Sequence, residues 1–131
     1  MAIPAQSLSG TEVLRRECIN SQSTDTTAFR FDTLHPTTGV ETYTVPALHI
    51  ITMVSIIICE TAGNGEQFHM QAVMHTTSAS IKLLADQTIG GQDTFIWNDR
   101  FTLIGGDALK IYSSAAAVLD VWYTYIDQSW E

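Results

Sequence analysis

Charge is scarce in this chain, and basic charge is the scarcest. Its 131 residues contain six Lys and Arg against fourteen Asp and Glu, which gives a net charge of −8. Charged residues make up 15% of the chain, against about 25% in an average soluble domain. Nucleic acids and anionic membranes are bound by clustered Lys and Arg. The composition therefore argues against both as partners.

Cysteine and long hydrophobic runs are also in short supply. The two cysteines, Cys18 and Cys59, are too few for the disulfide framework of a small secreted domain, and we expect both to be free thiols. The longest apolar-rich run, residues 49–59, is shorter than the roughly 20 residues that a membrane-spanning helix needs. The first residues lack the basic and apolar stretches of a secretory signal. We therefore expect synthesis in a reducing cytoplasm.

The sequence lacks the short motifs of the common catalytic and metal sites. It has no Gly-x-Ser-x-Gly, no phosphate-binding loop and no calcium loop of the D-x-D-x-D-G type. Of its four histidines, His69 and His75 lie six residues apart, about 20 Å along a strand, so they cannot share a metal ion. We expect no enzymatic activity, no cofactor and no metal. A hydrolase with two carboxylates that meet in space stays open, because such residues need not be neighbours in sequence.

What the chain has in plenty is β-branched residues: 17 Thr, 13 Ile and 7 Val. These side chains favour strands, because they pack well on a pleated sheet. Apolar and polar residues alternate in about eight short segments, and the glycines fall between them. Residues 63–65, Gly-Asn-Gly, predict a tight hairpin between the segments on either side. We predict an all-β fold, an antiparallel, jelly-roll-like β-sandwich over residues 26–131, preceded by an extended N-terminal arm over residues 1–25.

Two of these segments carry apolar residues on both faces. In residues 48–60 and in the last segment, strict alternation places large apolar side chains opposite the face that would form the core. The outer face of a two-layer sandwich is normally wet, so we expect a second copy of the chain to cover this surface. Coverage by the N-terminal arm stays open as the alternative. The predicted interface residues are Ile51, Met53, Ile57, Trp122 and Ile126.

Residues 41–127 also carry a pattern of turns and strands. Residues 43–46 read Tyr-Thr-Val-Pro and lead into the long apolar segment. Residues 105–109 read Gly-Gly-Asp-Ala-Leu, and residues 113–117 read Ser-Ser-Ala-Ala-Ala before a closing aromatic segment. This pattern resembles a family of small all-β structural proteins of tailed-bacteriophage virions, which decorate heads or belong to the neck, collar or tail.

The resemblance implies a non-enzymatic role in assembly. It implies a homo-oligomer, a trimer or a ring, that decorates or cements the capsid or the neck and tail through apolar interfaces and its N-terminal arm. The partners would be other copies of the chain and the major capsid protein or other virion proteins. The protein would be made in the cytoplasm of the host bacterium and would end in the virion.

A carbohydrate- or receptor-binding module of a phage fibre or tail tip is the alternative function. Aromatic side chains stack on sugar rings, and this chain has three tryptophans. The residues that would bind in that case are Trp97, Asp99 and Trp130.

Overall fold

The computed structural model describes residues 10–22, 26–31, 43–113 and 118–130, and these residues form an all-β fold. Within these ranges, nine strands make two antiparallel sheets that pack as a jelly-roll-like sandwich, which confirms the predicted fold class. No helix in the described ranges is long and apolar enough to cross a bilayer. The strands, in chain order, are β1 (Gly10–Gln22), β2 (Thr27–Ala28), β3 (His49–Glu60), β4 (Glu66–Val73), β5 (Ser80–Ile89), β6 (Thr94–Trp97), β7 (Phe101–Ile104), β8 (Ala108–Ser113) and β9 (Leu119–Trp130).

The first sheet has the order β1-β9-β3-β6, and β7 pairs with the other half of the same edge of β3. The second sheet has the order β2-β8-β4-β5. Most neighbours are therefore far apart in sequence, as in jelly rolls, where successive strands cross from one sheet to the other. Because β3 and β9 are the long central strands of the first sheet, they fix the position of the strands beside them.

The core lies between the two sheets and is rich in aromatic side chains. The ring of Phe29 lies 4.7 Å from that of Tyr123, and the ring of Phe31 lies 5.5 Å from that of Tyr125. All four side chains are fully buried. Because large rings contribute the most buried apolar area per residue, Phe29 and Phe31 anchor the chain between the sheets directly after β2.

A β-bulge at Val54 sets which side chains of β3 reach this core. The register against β9 shifts between Met53 and Ser55, so one extra residue stands in β3 at that point. An extra residue reverses the alternation of faces beyond it. Ile51 and Met53, before the bulge, and Ile56 and Ile58, after it, consequently all point into the core and are 0% exposed.

The bulge corrects the first prediction about this strand. Strict alternation placed Ile51 and Met53 on one face with Ile57, and that is wrong, because Ile57 follows the bulge and points outward. Single-residue bulges leave no clear mark in a strand that is apolar on both faces. Ile51 and Met53 are core residues of the single chain.

The turn at Gly63-Asn64-Gly65 is a crossover and not a hairpin. It connects β3, in the first sheet, with β4, which pairs with β5 and β8 in the second sheet. Gly63 has a φ of +80°, a conformation that glycine adopts readily. The sequence therefore predicted the position of the turn correctly and the pairing of its strands wrongly.

Residues 10–22, which the sequence analysis assigned to the N-terminal arm, form β1 at the edge of the first sheet. This strand pairs antiparallel with β9, with Leu14 opposite Ile126 and Cys18 opposite Trp122. The remainder of the predicted arm, residues 1–9 and 23–25, lies outside the described residues. The described part of that segment is thus a strand of the sandwich.

Candidate assembly interface

The outer face of the first sheet carries a row of apolar side chains. Cys18 of β1 lies opposite Trp122 of β9, which lies opposite Ile57 of β3, which lies opposite Ile96 of β6. Trp122 is 44% exposed, Ile57 37% and Ile96 55%. We call these four residues, Cys18, Trp122, Ile57 and Ile96, the apolar row. It crosses four strands, so it forms a continuous band and not a scatter of single side chains.

A second set of apolar side chains lies further along the same face. Leu14 is 68% exposed and lies opposite the half-buried Ile126. At the far end, the exposed Ile104 of β7 lies opposite the half-buried Ile50 of β3. Such a face is unusual for a solitary sandwich, in which outer faces are mostly polar. Continuous apolar surface on a soluble protein marks a contact with another molecule.

A shallow groove of about 340 Å³ runs along the apolar row where β1, β9 and β3 meet. The guanidinium of Arg16 lies 4.9 Å from the centre of the Trp122 ring and covers part of it. A cation over an indole ring is a favourable contact that still leaves the ring edge open. The residues that line the groove are Cys18, Ile19, Asn20, Ile57, Cys59, Asp120, Val121 and Trp122.

Three of the five predicted interface residues lie on this face. Ile57 and Trp122 are adjacent members of the apolar row, and Ile126 lies four residues from Trp122 along β9. Their role in an interface remains a prediction. Ile96 was not among the predicted residues, although its neighbours Phe95 and Trp97 point inward and alternation therefore turns Ile96 outward. Leu14 was not predicted either, because it lies in the segment that was assigned to the N-terminal arm.

Both thiols border the groove, and each is free. Cys18 is exposed on β1 and Cys59 is half-buried on β3. The strand β9 lies between them, so their Cα atoms are at least two strand spacings, about 10 Å, apart. A disulfide needs a Cα separation of at most about 7 Å. The two cysteines of one chain therefore cannot bond to each other without moving the sheet.

A buried polar cluster anchors β1 to the sandwich. The hydroxyl of Tyr125 donates to Oε2 of the buried Glu17 at 2.8 Å, and the Arg30 side chain lies 4.0 Å from the other carboxylate oxygen. The Tyr123 hydroxyl donates to the carbonyl oxygen of Arg30 and accepts from its backbone N–H. Burial and the nearby Glu17 carboxylate raise the pKa of both Tyr123 and Tyr125. Both phenols therefore remain protonated and able to donate.

A second polar cluster lies where β1, β9 and β3 meet at the other end of the sheet. The buried carboxylate of Asp127 accepts from Nε of Arg15 at 3.2 Å and lies 2.7 Å from Nδ1 of His49. Its partners come from two different strands, so Asp127 fixes the position of β1 and β3 on either side of β9.

Glu60, at the end of β3, holds three loops together. Its fully buried carboxylate accepts hydrogen bonds from five backbone N–H groups at 2.6–3.3 Å. Burial alone raises the pKa of this carboxyl, but the backbone donors outweigh burial and hold the pKa below its ordinary value of 4.5. The donors are Ala62, Gly63, Asn64, Gln92 and Val118.

The residues of the carbohydrate-binding alternative do not form an aromatic platform. Trp97 points to the inner side of β6, packs edge-on against Phe101 and is half-buried. Its indole N–H donates to the backbone carbonyl of Asp99 at 2.6 Å, and not to the carboxylate. The side chain of Trp130 lies outside the described part of the chain.

The histidines that the structure describes lie apart from one another. His69 contacts Asp86 at 3.2 Å and stacks on Tyr112 on the second sheet, whereas His49 belongs to the Asp127 cluster. His35 lies outside the described residues. In the described ranges, no three His, Cys, Asp or Glu side chains come together in a way that could hold a metal ion.

No protein-family model matches the sequence, and no curated protein does. Several solved structures are similar in fold. A subunit of the Bacillus endospore appendages, described as disulfide-linked pili, is 15% identical with a TM-score of 0.49, and the match covers 100% of this chain and 98% of that one. The globular domain of zebrafish complement 1qA is 12% identical with a TM-score of 0.45, over 88% and 94% of the two chains. The tobacco streak virus coat protein is 12% identical with a TM-score of 0.44, over 98% and 90%. Each similarity is one of fold.

Proposed function

We propose that this protein is a non-enzymatic structural component of a tailed-bacteriophage virion. It is a homo-oligomeric β-sandwich that decorates or cements the capsid, the neck or the tail. The observation that supports this role best is the apolar row, Cys18, Trp122, Ile57 and Ile96, which a single chain leaves exposed across four strands. The sequence pattern of residues 41–127, which resembles virion proteins of this kind, adds the biological setting.

Burial of the apolar row supplies the driving force for assembly. Each 100 Å² of apolar surface removed from water contributes about 2.5 kcal/mol. Association costs part of this gain, so one such contact is weak and several on one particle are strong. The partners are other copies of the chain and the capsid or neck proteins to which it attaches. A net charge of −8 keeps the protein from the packaged nucleic acid, whose phosphates repel it.

The experiment is an analysis of purified phage particles. Particles from the phage that encodes this chain are banded on a density gradient and quantified by mass spectrometry, and the protein is located by immunogold electron microscopy. The proposal predicts several copies per particle at one structural location. Absence of the protein from intact, infectious particles would contradict it.

A matched pair of variants connects this result to the apolar row. Trp122→Glu places a charge in the row, whereas Thr102→Glu places the same charge at an exposed polar position on the same face. We expect purified Thr102→Glu protein to bind particles that lack the chain as well as the wild type does. We expect Trp122→Glu to bind at least about tenfold more weakly, because a charge cannot be buried without a partner.

A further inference from the structure

The strand β1 presents an open edge of the first sheet. It is 13 residues long and pairs with β9 and with no other described strand. An edge strand carries N–H and C=O groups that can pair with another chain, and long exposed edges are usually blocked by a bulge, a proline or a covering segment. Residues 10–17 contain no proline, and their register with β9 is regular throughout.

The second sheet covers the C-terminal part of this edge and leaves the N-terminal part open. A guanidinium N–H of Arg30 donates to the carbonyl oxygen of Cys18 at 3.1 Å. A cavity of about 300 Å³ lies between residues 18–20 of β1 and a set of neighbours that comprises Thr27, Ala28, Arg30 and Tyr43. Among the described residues, the side-chain partners of Glu12, Arg15 and Arg16 are Gln128, Asp127 and Trp122, which all belong to β9. All five side chains of residues 12–16 are exposed. The accessible part of the edge is therefore centred near Leu14.

The sequence of this open part is complementary to itself. We consider two copies of β1 that pair antiparallel about a twofold axis perpendicular to the sheet. Residues directly opposite each other then have side chains on the same face of the sheet. This is possible only if the axis passes beside one residue, which lies opposite its own copy. With Leu14 on the axis, Glu12 of each copy faces Arg16 of the other. An axis at Arg15 or Arg16 would place two arginines opposite each other, and an axis at Val13 would pair no opposite charges. Opposite charges across a strand pair stabilise it, and like charges destabilise it.

We propose that two copies of this chain pair through β1, antiparallel about a twofold axis at Leu14. The first sheet of one copy then continues into the first sheet of the other. Leu14, which is 68% exposed in one chain, packs against Leu14 of the second copy, with a Glu12–Arg16 pair on each side. This contact lies at the sheet edge, next to the apolar row, because Arg16 also covers part of the Trp122 ring. It does not depend on the proposed place in a virion.

Disulfide trapping tests the register. In a chain with Cys18→Ser and Cys59→Ser, the variant Leu14→Cys puts two thiols on the axis, where directly opposed Cα atoms are about 4.5–5.5 Å apart and a disulfide fits. The control, Arg16→Cys in the same chain, places its two thiols about 13 Å apart, because each is offset by four residues. Mild oxidation should convert most of the Leu14→Cys protein, and little of the Arg16→Cys protein, into a covalent dimer. Equal trapping at both positions, or none at position 14, would overturn the proposal.

Charge reversal provides the second test, with no new cysteine. Glu12→Arg and Arg16→Glu each replace two attractive pairs by two repulsive ones, so each should raise the dimer dissociation constant about tenfold or more in sedimentation velocity. The double variant restores the pairs and should return to within about threefold of the wild type. Thermal melting confirms that each variant is folded. Failure of the double variant to recover would contradict the pairing.

The two proposals fail separately. A protein that is trapped at position 14 but is absent from particles retains the β1 pairing and loses the virion role. A protein that is present in particles but shows no trapping at position 14 retains the virion role and loses the β1 pairing.

Discussion

Trp122 and Ile57 lie directly opposite each other on neighbouring central strands, and both point away from the core. In most sandwiches such a pair would be polar on its outer face. Here Ile96 and Cys18 extend the pair to both sides. The β-bulge at Val54 produces this arrangement, because it turns Ile56 and Ile58 into the core and leaves Ile57 outside.

The five backbone N–H groups that surround the Glu60 carboxylate, which we call the Glu60 cage, predict a large effect of a small substitution. Glu60→Gln replaces a carboxylate oxygen that accepts backbone N–H bonds with an amide group that donates, so buried donors then face each other. We expect the melting temperature to fall by roughly 5 °C or more. The control Asp99→Asn changes an exposed carboxylate and should shift it by less than about 2 °C. Equal shifts in scanning calorimetry would show that the cage contributes nothing particular to stability.

The same carboxylate makes stability depend on pH. The folded protein holds the pKa of Glu60 below 4.5, so the unfolded chain binds a proton more readily than the folded one. The contribution of Glu60 is therefore complete above the unfolded value and is lost as the pH falls through the folded one. The difference in melting temperature between the wild type and Glu60→Gln should change little near pH 6 and should shrink as the pH falls from about 5 towards about 3. A difference that stays constant over this range would contradict the lowered pKa.

The Tyr125–Glu17 hydrogen bond predicts a stability loss that originates at β1. Tyr125→Phe removes the donor to a buried carboxylate and should lower the free energy of unfolding by about 1–3 kcal/mol in urea. Tyr112→Phe removes a hydroxyl that lies with Lys82 on the outer face of the second sheet, and it should cost less than about 1 kcal/mol. The test is which of the two variants loses more stability, and a larger loss for Tyr112→Phe than for Tyr125→Phe would contradict the prediction.

Deletion of Val54 tests the bulge directly. Removing this residue restores strict alternation, so Ile51, Met53, Ile56 and Ile58 can all stay in the core. We expect the deletion variant to fold, with a loss of about 1–2 kcal/mol. Deletion of Ile57 removes a residue beyond the bulge and forces Ile58 outward, so that variant should not fold. Circular dichroism and thermal melting distinguish the two, and similar behaviour of both variants would count against the bulge.

The sequence predicted the fold class because its signals are local. Alternation, β-branched residues and glycines at the turns each depend on a few neighbouring residues, and together they identify strands. Which strands pair with each other is not a local property of the sequence. For this reason Gly63-Asn64-Gly65 suggested a hairpin, although the loop crosses between the sheets. The Glu60 carboxylate at the start of this crossover accepts hydrogen bonds from the backbone of Gln92 and Val118. No spacing in the sequence connects these two residues to Glu60.

The candidate interface was predicted in part for the same reason. Trp122 and Ile57 stood out because each is apolar in a strand whose other face already supplies the core. Ile51 and Met53 were assigned to the wrong face because the bulge inserts one residue and so reverses the alternation of faces beyond it. The bulge leaves no trace in the amino-acid composition of the strand. Leu14 was missed because β1 is polar and charged, and its strand structure comes from pairing with β9 and not from its own pattern.

Sedimentation velocity of the wild type, Trp122→Glu and Thr102→Glu tests the central claim most directly, with all three proteins at about 100 μM and matched in thermal stability. If burial of the apolar row drives self-association, the wild type and Thr102→Glu sediment as the same oligomer. Trp122→Glu then has a lower average mass, and its dissociation constant is higher by about tenfold or more. A wild type that sediments as a single chain, or a Trp122→Glu variant that keeps the wild-type mass, would contradict the claim.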